Sequence, residues 1–183
     1  MLQHFLYSKI NDKRKAEAIH FSVLIVGTYL IWKAISFVLE NTQPQFWIHI
    51  QNQIANVIIS LAVYFSNVFA AANASAFERN IFMPNTPGIY VADHCLGIPA
   101  MVVFTLFVLF FKGSLKNKLW FIPIGVIGVL LINTFRLVAL VLLMKHATPA
   151  FWELNHKYFF LAITYGFIFW MIKVWMDKFA ETN

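Results

Sequence analysis

Long apolar runs, separated by short polar or basic segments, limit what this chain can fold into more than any other feature. Four of them are long enough to cross a bilayer: Ile19–Leu39, Cys95–Phe111, Leu119–Met144 and Tyr158–Trp175. The chain is 60% hydrophobic and only 12% charged, whereas a soluble domain is about half apolar and a quarter charged. The sequence therefore predicts an all-α integral membrane protein with about four transmembrane helices, folded as a single multi-pass domain over residues 1–183.

A further helical pattern, over Ile54–Ala70, carries a polar stripe opposite an apolar face. The stripe consists of Gln53, Asn56, Ser60 and Asn67. A continuous polar stripe suits a helix that lies in the membrane interface, and we expect an amphipathic helix in the outer leaflet there. A crossing by this segment would instead place Cys95 on the opposite face of the membrane.

Proline and glycine mark a turn in front of Cys95. Two segments, Ala76–Met83 and Gly88–Val91, flank the turn sequence Pro84–Gly88. The pattern predicts a short β-hairpin on the outer face that leads into Cys95.

Basic residues flank the apolar runs instead of forming one patch, although the formal net charge is +6. Such a distribution sets the orientation of a membrane protein and does not indicate a nucleic-acid partner. The tight basic loop Lys112–Lys118 belongs in the cytoplasm, as do both termini. We therefore expect the chain in the inner (cytoplasmic) membrane among its lipids, with Cys95 and His156 toward the outer, periplasmic face.

Cys95 is the only cysteine, which excludes an intrachain disulfide and a CxxC metal or redox motif. The pattern places it in the first turn of a helix, where exposed N–H groups and the helix dipole favour the thiolate. Gly97, two residues on, would let another part of the chain approach closely. We interpret Cys95 as a candidate nucleophile.

Arg136 lies inside the third apolar run, eight residues before Met144, so its Cα is roughly 12 Å below the helix end. An arginine at that depth costs several kcal/mol unless it is paired or hydrated, and it indicates a functional site. Asn133 lies three residues earlier on the same helix face. Its side chain could bind the guanidinium or a substrate carbonyl.

His156 precedes the last apolar run and could act as a general base or acid. Three other histidines are expected on the outer face and could compete for this role: His49, His94 and His146. An activated thiol and a fixed guanidinium that stabilises a tetrahedral oxyanion are together the parts of a cysteine acyl-transfer site. Arg136 and His156 could each lower the pKa of the thiol.

These residues resemble the exosortase/archaeosortase family, whose members are multi-pass membrane transpeptidases with a Cys–Arg–His active site. The matching segments are Cys95–Gly97, Asn133–Arg136 and His156, in the family's order. The resemblance covers roughly residues 45–178 and looks like the short branch found in Bacteroidetes-type bacteria. The chain departs from the usual pattern in having Leu96 between the cysteine and the glycine, and it is shorter than typical members.

The resemblance implies an activity and a role for each residue. The substrates would be exported proteins with a C-terminal sorting signal, which is a short motif followed by one transmembrane helix and a basic tail. Cys95 would be the nucleophile, Arg136 the oxyanion or substrate stabiliser, and His156 the proton shuttle. Asn133 and Gly97 would support them. The new C-terminus would pass to an amine, a hydroxyl or water, and neither a cofactor nor a metal is expected.

Two other functions fit parts of the sequence. A membrane metallopeptidase could bind zinc through His94, Cys95, His146 and His156, although the chain has no HExxH motif. A non-enzymatic transport or assembly subunit could use Arg136 to bind an anionic lipid or substrate.

Overall fold

The computed structural model of the protein describes residues 13–144, 148, 151 and 154–179. Its helices are α1 (Lys13–Thr42), α2 (Gln45–Ala70), α3 (Ile98–Phe110), α4 (Leu115–Leu143) and α5 (Phe160–Lys178). Its strands are β1 (Ser75–Phe77), β2 (Asn80–Phe82) and β3 (Ile89–Tyr90). A 3-10 turn over Asp93–Leu96 precedes α3, and a π turn over Asn155–Phe159 precedes α5.

The helices confirm the predicted all-α, multi-pass membrane protein with a small sheet. Four segments are long and apolar enough to cross a membrane: Phe21–Thr42 within α1, and the helices α2, α4 and α5. By contrast, α3 has only 13 residues, which extend about 20 Å. The hydrocarbon core of a bilayer is about 30 Å thick, so α3 is too short to span it.

The prediction that a spanning helix begins at Cys95 and continues to Phe111 is therefore wrong about where the helix begins. Gly97 has a φ of 73°, in the left-handed region, and this residue divides the 3-10 turn from α3. Pro99 follows in the first turn of α3, where a residue without an N–H group costs nothing. The helix consequently begins at Ile98, and Cys95 lies outside it.

The predicted amphipathic helix Ile54–Ala70 is longer than expected, because Pro44 allows α2 to begin at Gln45. Its full length is sufficient to cross a membrane. Its orientation relative to the bilayer, in the interface or across it, stays a prediction. The other three predicted spans correspond to α1, to α4 and to the π turn with α5.

The sheet contains the predicted hairpin and one additional strand. β2 and β3 pair antiparallel, with Ile81 opposite Ile89, and β1 pairs antiparallel with β2. The predicted strand Ala76–Met83 is interrupted at Glu78, whose φ of 51° is in the left-handed region. Asn67 of α2 fixes the sheet to that helix: its amide donates to the Ala74 carbonyl (2.9 Å) and its side-chain oxygen accepts from the Ala74 N–H (2.6 Å).

Two clusters of buried side chains form the interior. The sheet region joins α2, the sheet, the 3-10 turn and the C-terminal part of α4, and it includes Ala55, Ile58, Ile81, Val91, Leu96 and Val141. The aromatic region joins α3, α5 and the N-terminal part of α4, and it includes Phe104, Phe107, Phe121, Met171 and Trp175. Helix α4 runs through both regions and so connects them.

The loop between α3 and α4 closes the far end of the aromatic region. Lys118 Nζ donates to the carbonyls of Leu109 and Phe111, each at 2.7 Å. Trp175 Nε1 donates to the Lys112 carbonyl at 3.1 Å. These bonds satisfy carbonyls at the C-terminus of α3 that have no partner within the helix.

Candidate active site

Cys95 lies in the 3-10 turn between β3 and α3, where it is half-buried. Its backbone N–H donates to the Ala92 carbonyl at 2.9 Å, which closes the turn. The sequence-based placement of the thiol in the first turn of a long helix is thus wrong. A short turn, followed by a left-handed glycine, presents the thiol instead.

Gly97 permits a close contact between this turn and α4, as its position in the sequence predicts. A Cβ atom built on Gly97 would lie 2.1 Å from Nδ2 and 3.0 Å from Cγ of Asn133. Any other residue would therefore displace the Asn133 amide and would also adopt an unfavourable positive φ. Asn133 in turn donates from Nδ2 to the Val129 carbonyl at 2.9 Å, which fixes its amide.

A cavity of about 290 Å³ brings the thiol together with two polar residues of α4. Cys95, Asn133 and Arg136 all line it, and Asn133 and Arg136 are 2% and 9% exposed. Because these two residues are three positions apart on one helix, they face the same side. The remaining lining is largely the backbone and side chains of β3 and its flanks, with Leu137 and Leu140 of α4.

Burial and charge act on the Cys95 thiol in opposite directions. Burial raises the pKa of the thiol above its ordinary value, whereas the Arg136 guanidinium and a backbone hydrogen bond with Ala92 lower it. The burial effect is the largest, so the pKa is raised overall. This contradicts the expectation of a thiolate favoured by a helix N-terminus, and it means that attack by the thiol requires a proton acceptor.

The histidines occupy different positions. The backbone of His156 lies in the π turn before α5, but its side chain lies outside the described part of the structure, as does all of His146. His94, which the sequence offered only as a competitor, lines the same cavity as Cys95. His49 is exposed on α2 and is absent from the residues that line this cavity.

The sequence analysis missed an ion pair beside the cavity. Arg79, in the turn between β1 and β2, pairs with Asp93 two residues before Cys95. The same guanidinium donates to the side-chain oxygen of Asn52 on α2, at 2.8 Å from one terminal nitrogen. The signal was available, because Glu78, Arg79 and Asp93 are the only Asp, Glu, Lys or Arg residues between Glu40 and Lys112.

The predicted zinc ligands are only partly described. Among the described residues, no three His, Cys, Asp or Glu side chains lie together so that they could hold a metal ion. His146 and the side chain of His156, two of the four predicted ligands, lie outside those residues. The metallopeptidase hypothesis therefore stays a prediction.

The fold and the cavity together define a multi-pass membrane protein in which a half-buried thiol and a buried guanidinium line one cavity. The model of the transmembrane exosortase family (Exosortase_EpsH) matches residues 12–176, most of the sequence. The chain belongs to this family, and it is accordingly an enzyme of the membrane peptidase and transpeptidase class that acts on exported proteins. No curated protein and no solved structure matches it.

Proposed function

We propose that the protein is a cysteine-dependent transpeptidase that removes the C-terminal sorting signal of exported proteins at the outer face of the inner membrane. The observation that carries this proposal is the shared cavity of Cys95 and Arg136. A nucleophile and a fixed cation at one small site are what acyl transfer requires. The family membership is consistent with this chemistry.

The proposed reaction begins when Cys95 loses its proton and its sulfur attacks the scissile carbonyl carbon. The carbonyl oxygen becomes an oxyanion, which the Arg136 guanidinium stabilises by donating hydrogen bonds. Collapse of this intermediate breaks the C–N bond and leaves a thioester on Cys95. The leaving amine takes a proton from the base, which the first step had protonated.

In the second half-reaction, an amine, a hydroxyl or water attacks the thioester carbonyl. The C–S bond breaks, the acceptor is acylated and the thiol of Cys95 regains a proton. Asn133 would support both halves because its amide donates to the Val129 carbonyl and packs closely against Gly97, which keeps the wall of the cavity in place beside Arg136. This amide can also donate toward a bound substrate carbonyl.

We assign the proton shuttle to His156, at the start of the π turn. His94 is the second candidate for this role, on the observation that it lines the cavity. Separate His156→Gln and His94→Gln variants distinguish them. The variant that lacks the proton shuttle should lose transfer activity at neutral pH. It should regain part of that activity as the pH rises, because hydroxide can then deprotonate the Cys95 thiol, whose pKa is raised. Equal activity of both variants and the wild type would remove His156 and His94 from the mechanism.

The substrate is proposed to enter with its own transmembrane helix in the bilayer and its short motif at the cavity. Cleavage would release that helix with its basic tail and leave the exported part on the enzyme. The basic α3–α4 loop supports an orientation with that loop at the cytoplasmic boundary, so that the Cys95 end of α3 points toward the outer face. A membrane-impermeant thiol reagent applied to intact cells tests that orientation, since it should label Cys95 without breaching the membrane.

The decisive test is processing of exported proteins that end in a transmembrane helix and a basic tail. Cells with the wild-type chain should yield proteins shortened at the C-terminus, which intact-protein mass spectrometry detects. Cys95→Ala should lower processing by about 10⁴-fold or more. Ser66→Ala, a buried change of similar size on α2 outside the cavity, is the control. Unchanged processing by Cys95→Ala would refute the proposal.

The same variants test the non-enzymatic alternative. If the chain were a transport or assembly subunit, Cys95→Ser would have no effect on export, whereas Arg136→Ala would impair it. The transpeptidase hypothesis predicts that both variants fail in processing. Sensitivity of the wild type to a chelator would instead favour the zinc peptidase.

A further inference from the structure

A second cavity, of about 390 Å³, lies between α1, α3 and α5. It shares no lining residue with the cavity of Cys95. Its walls are mostly apolar side chains, among them Ile25 of α1, Phe107 of α3 and Ile172 of α5. We call this cavity the α1–α3–α5 groove.

The groove is polar at one end. Phe21 of α1 and Phe107 of α3 are in edge-to-face contact, with ring centroids 5.7 Å apart, so the start of one helix lies beside the end of the other. Lys33 and Ser36, further along α1, therefore lie toward Pro99, at the beginning of α3. This is the end of the groove nearer Cys95.

Helix α5 also places a polar residue at this end of the groove. Trp175 near its C-terminus is bonded to the α3–α4 loop, so the earlier residue Tyr165 lies toward the end with Lys33. The polar side chains of the groove are Tyr29, Lys33, Ser36 and Tyr165. The groove is thus amphipathic along its length, with a cation and hydroxyl groups toward one end and apolar walls toward the other.

The charge of the groove is not balanced by its walls. Lys33 is the one ionisable cation among the described residues that line it, and no carboxylate is among them. Lys33 lies nine residues before the end of α1 at Thr42, which is about 14 Å along the helix axis. A lysine at that depth within a spanning segment is costly and is expected to have an anionic partner or hydration.

We propose that the α1–α3–α5 groove binds an anionic phospholipid, with the phosphate at Lys33 and an acyl chain against the apolar walls. A volume of about 390 Å³ falls in the range of small-ligand sites. This inference goes beyond the proposed function and does not depend on the chemistry of Cys95.

Lipid titration of the full chain in mild detergent tests the site. Phosphatidylglycerol and phosphatidylcholine with identical acyl chains are added separately, and bound lipid is counted by native mass spectrometry. Phosphatidylglycerol should bind more tightly, and Lys33→Gln should reduce that preference about fivefold to tenfold, as expected for loss of one basic contact. Lys33→Arg should retain it. Lys173→Gln is the matched control, since Lys173 is an exposed cation of α5 outside the groove.

The acyl-chain half of the proposal has its own test. Ala100→Leu adds bulk to the α3 wall of the groove without changing charge, and it should weaken binding of both lipids. Inorganic phosphate at the same concentration should not compete, because it lacks the acyl chain. Equal affinity for both lipids, equal losses in Lys33→Gln and Lys173→Gln, or displacement of lipid by phosphate alone would each overturn the site. Displacement by an uncharged transmembrane peptide would reassign the groove to a helix.

Discussion

The sheet region and the aromatic region of this protein are built on different principles. In the aromatic region, rings contact one another closely, as Phe121 and Trp175 do with centroids 5.1 Å apart. In the sheet region, aliphatic side chains surround polar groups that are themselves buried, including Asn133 and Arg136. The same helix, α4, supplies both. The comparison indicates that closely packed rings fill one region, while the other accommodates a polar cavity.

Apart from loss of the nucleophile itself, the largest expected effect concerns the charge in the sheet region. Arg136→Ala should lower processing of exported substrates by about 100- to 1000-fold, the usual cost of losing one oxyanion donor. Arg136→Lys should recover only part of this activity, because lysine cannot donate in the bidentate geometry of arginine. Rates measured on purified protein in lipid bilayers provide the test. An active Arg136→Ala variant would show that the cavity does not use the guanidinium.

The aromatic region should respond to a single methyl group. A Cβ atom on Gly125 would lie 2.1 Å from Cε1 of Phe104, a ring that is only 1% exposed. Gly125→Ala should therefore destabilise the fold by about 1–3 kcal/mol through overpacking, measured by thermal or denaturant unfolding in detergent.

Two other helical glycines provide the matched control for that change. Gly27 and Gly166 have no atom within 4 Å of a built Cβ. Alanine at either position should be neutral or stabilise by up to about 1 kcal/mol, because alanine is the better helix former. If Gly125→Ala behaved like these two, the close packing assigned to the aromatic region would be wrong.

The pH dependence of Cys95 alkylation tests how the buried charge of the sheet region acts on the thiol. Burial raises the pKa of this thiol and Arg136 opposes the rise. At neutral pH the thiol is therefore protonated, and alkylation should accelerate only as the pH passes above the ordinary range of a cysteine. In Arg136→Ala the opposing charge is gone, so the midpoint of alkylation against pH should move further upward. A downward shift, or none, would contradict the electrostatic coupling.

The smallest expected effect concerns the ion pair beside the cavity. Arg79→Gln removes the pair with Asp93, whose side chain is 55% exposed. Exposed pairs of this kind contribute about 0.2–1 kcal/mol, so the free energy of unfolding should change little. Processing should fall only by a few-fold, through displacement of the turn that carries Cys95. A loss as large as that of Arg136→Ala would give Arg79 a direct role.

The sequence was sufficient for the class of fold because apolar length is a strong signal in membranes. It also identified the turn near Pro84 and the close approach at Gly97, since both depend on local backbone preferences. It was insufficient where tertiary contacts decide the outcome. The polar stripe of α2 suggested a helix face at the membrane interface, yet Asn67 uses its amide to bind Ala74, the residue before β1.

The candidate site shows the same limit. Asn133 and Arg136 could be placed on one face of a helix from their spacing alone. The protonation state of Cys95 could not be predicted from the sequence, because the pKa of its thiol depends on burial by segments distant in sequence. Arg79 and Asp93 likewise meet only because the sheet folds back on itself.

The short length of α3 has a consequence for which peptides can react. In the proposed orientation, with the basic-loop end of α3 at the cytoplasmic boundary, a helix of 13 residues would end about 10 Å short of the outer boundary. In the proposed function, a chain held by its own transmembrane helix would present its flanking residues at that level, whereas a peptide free in water has no anchor that would hold it there. Depth in the bilayer would then select substrates before any motif is read.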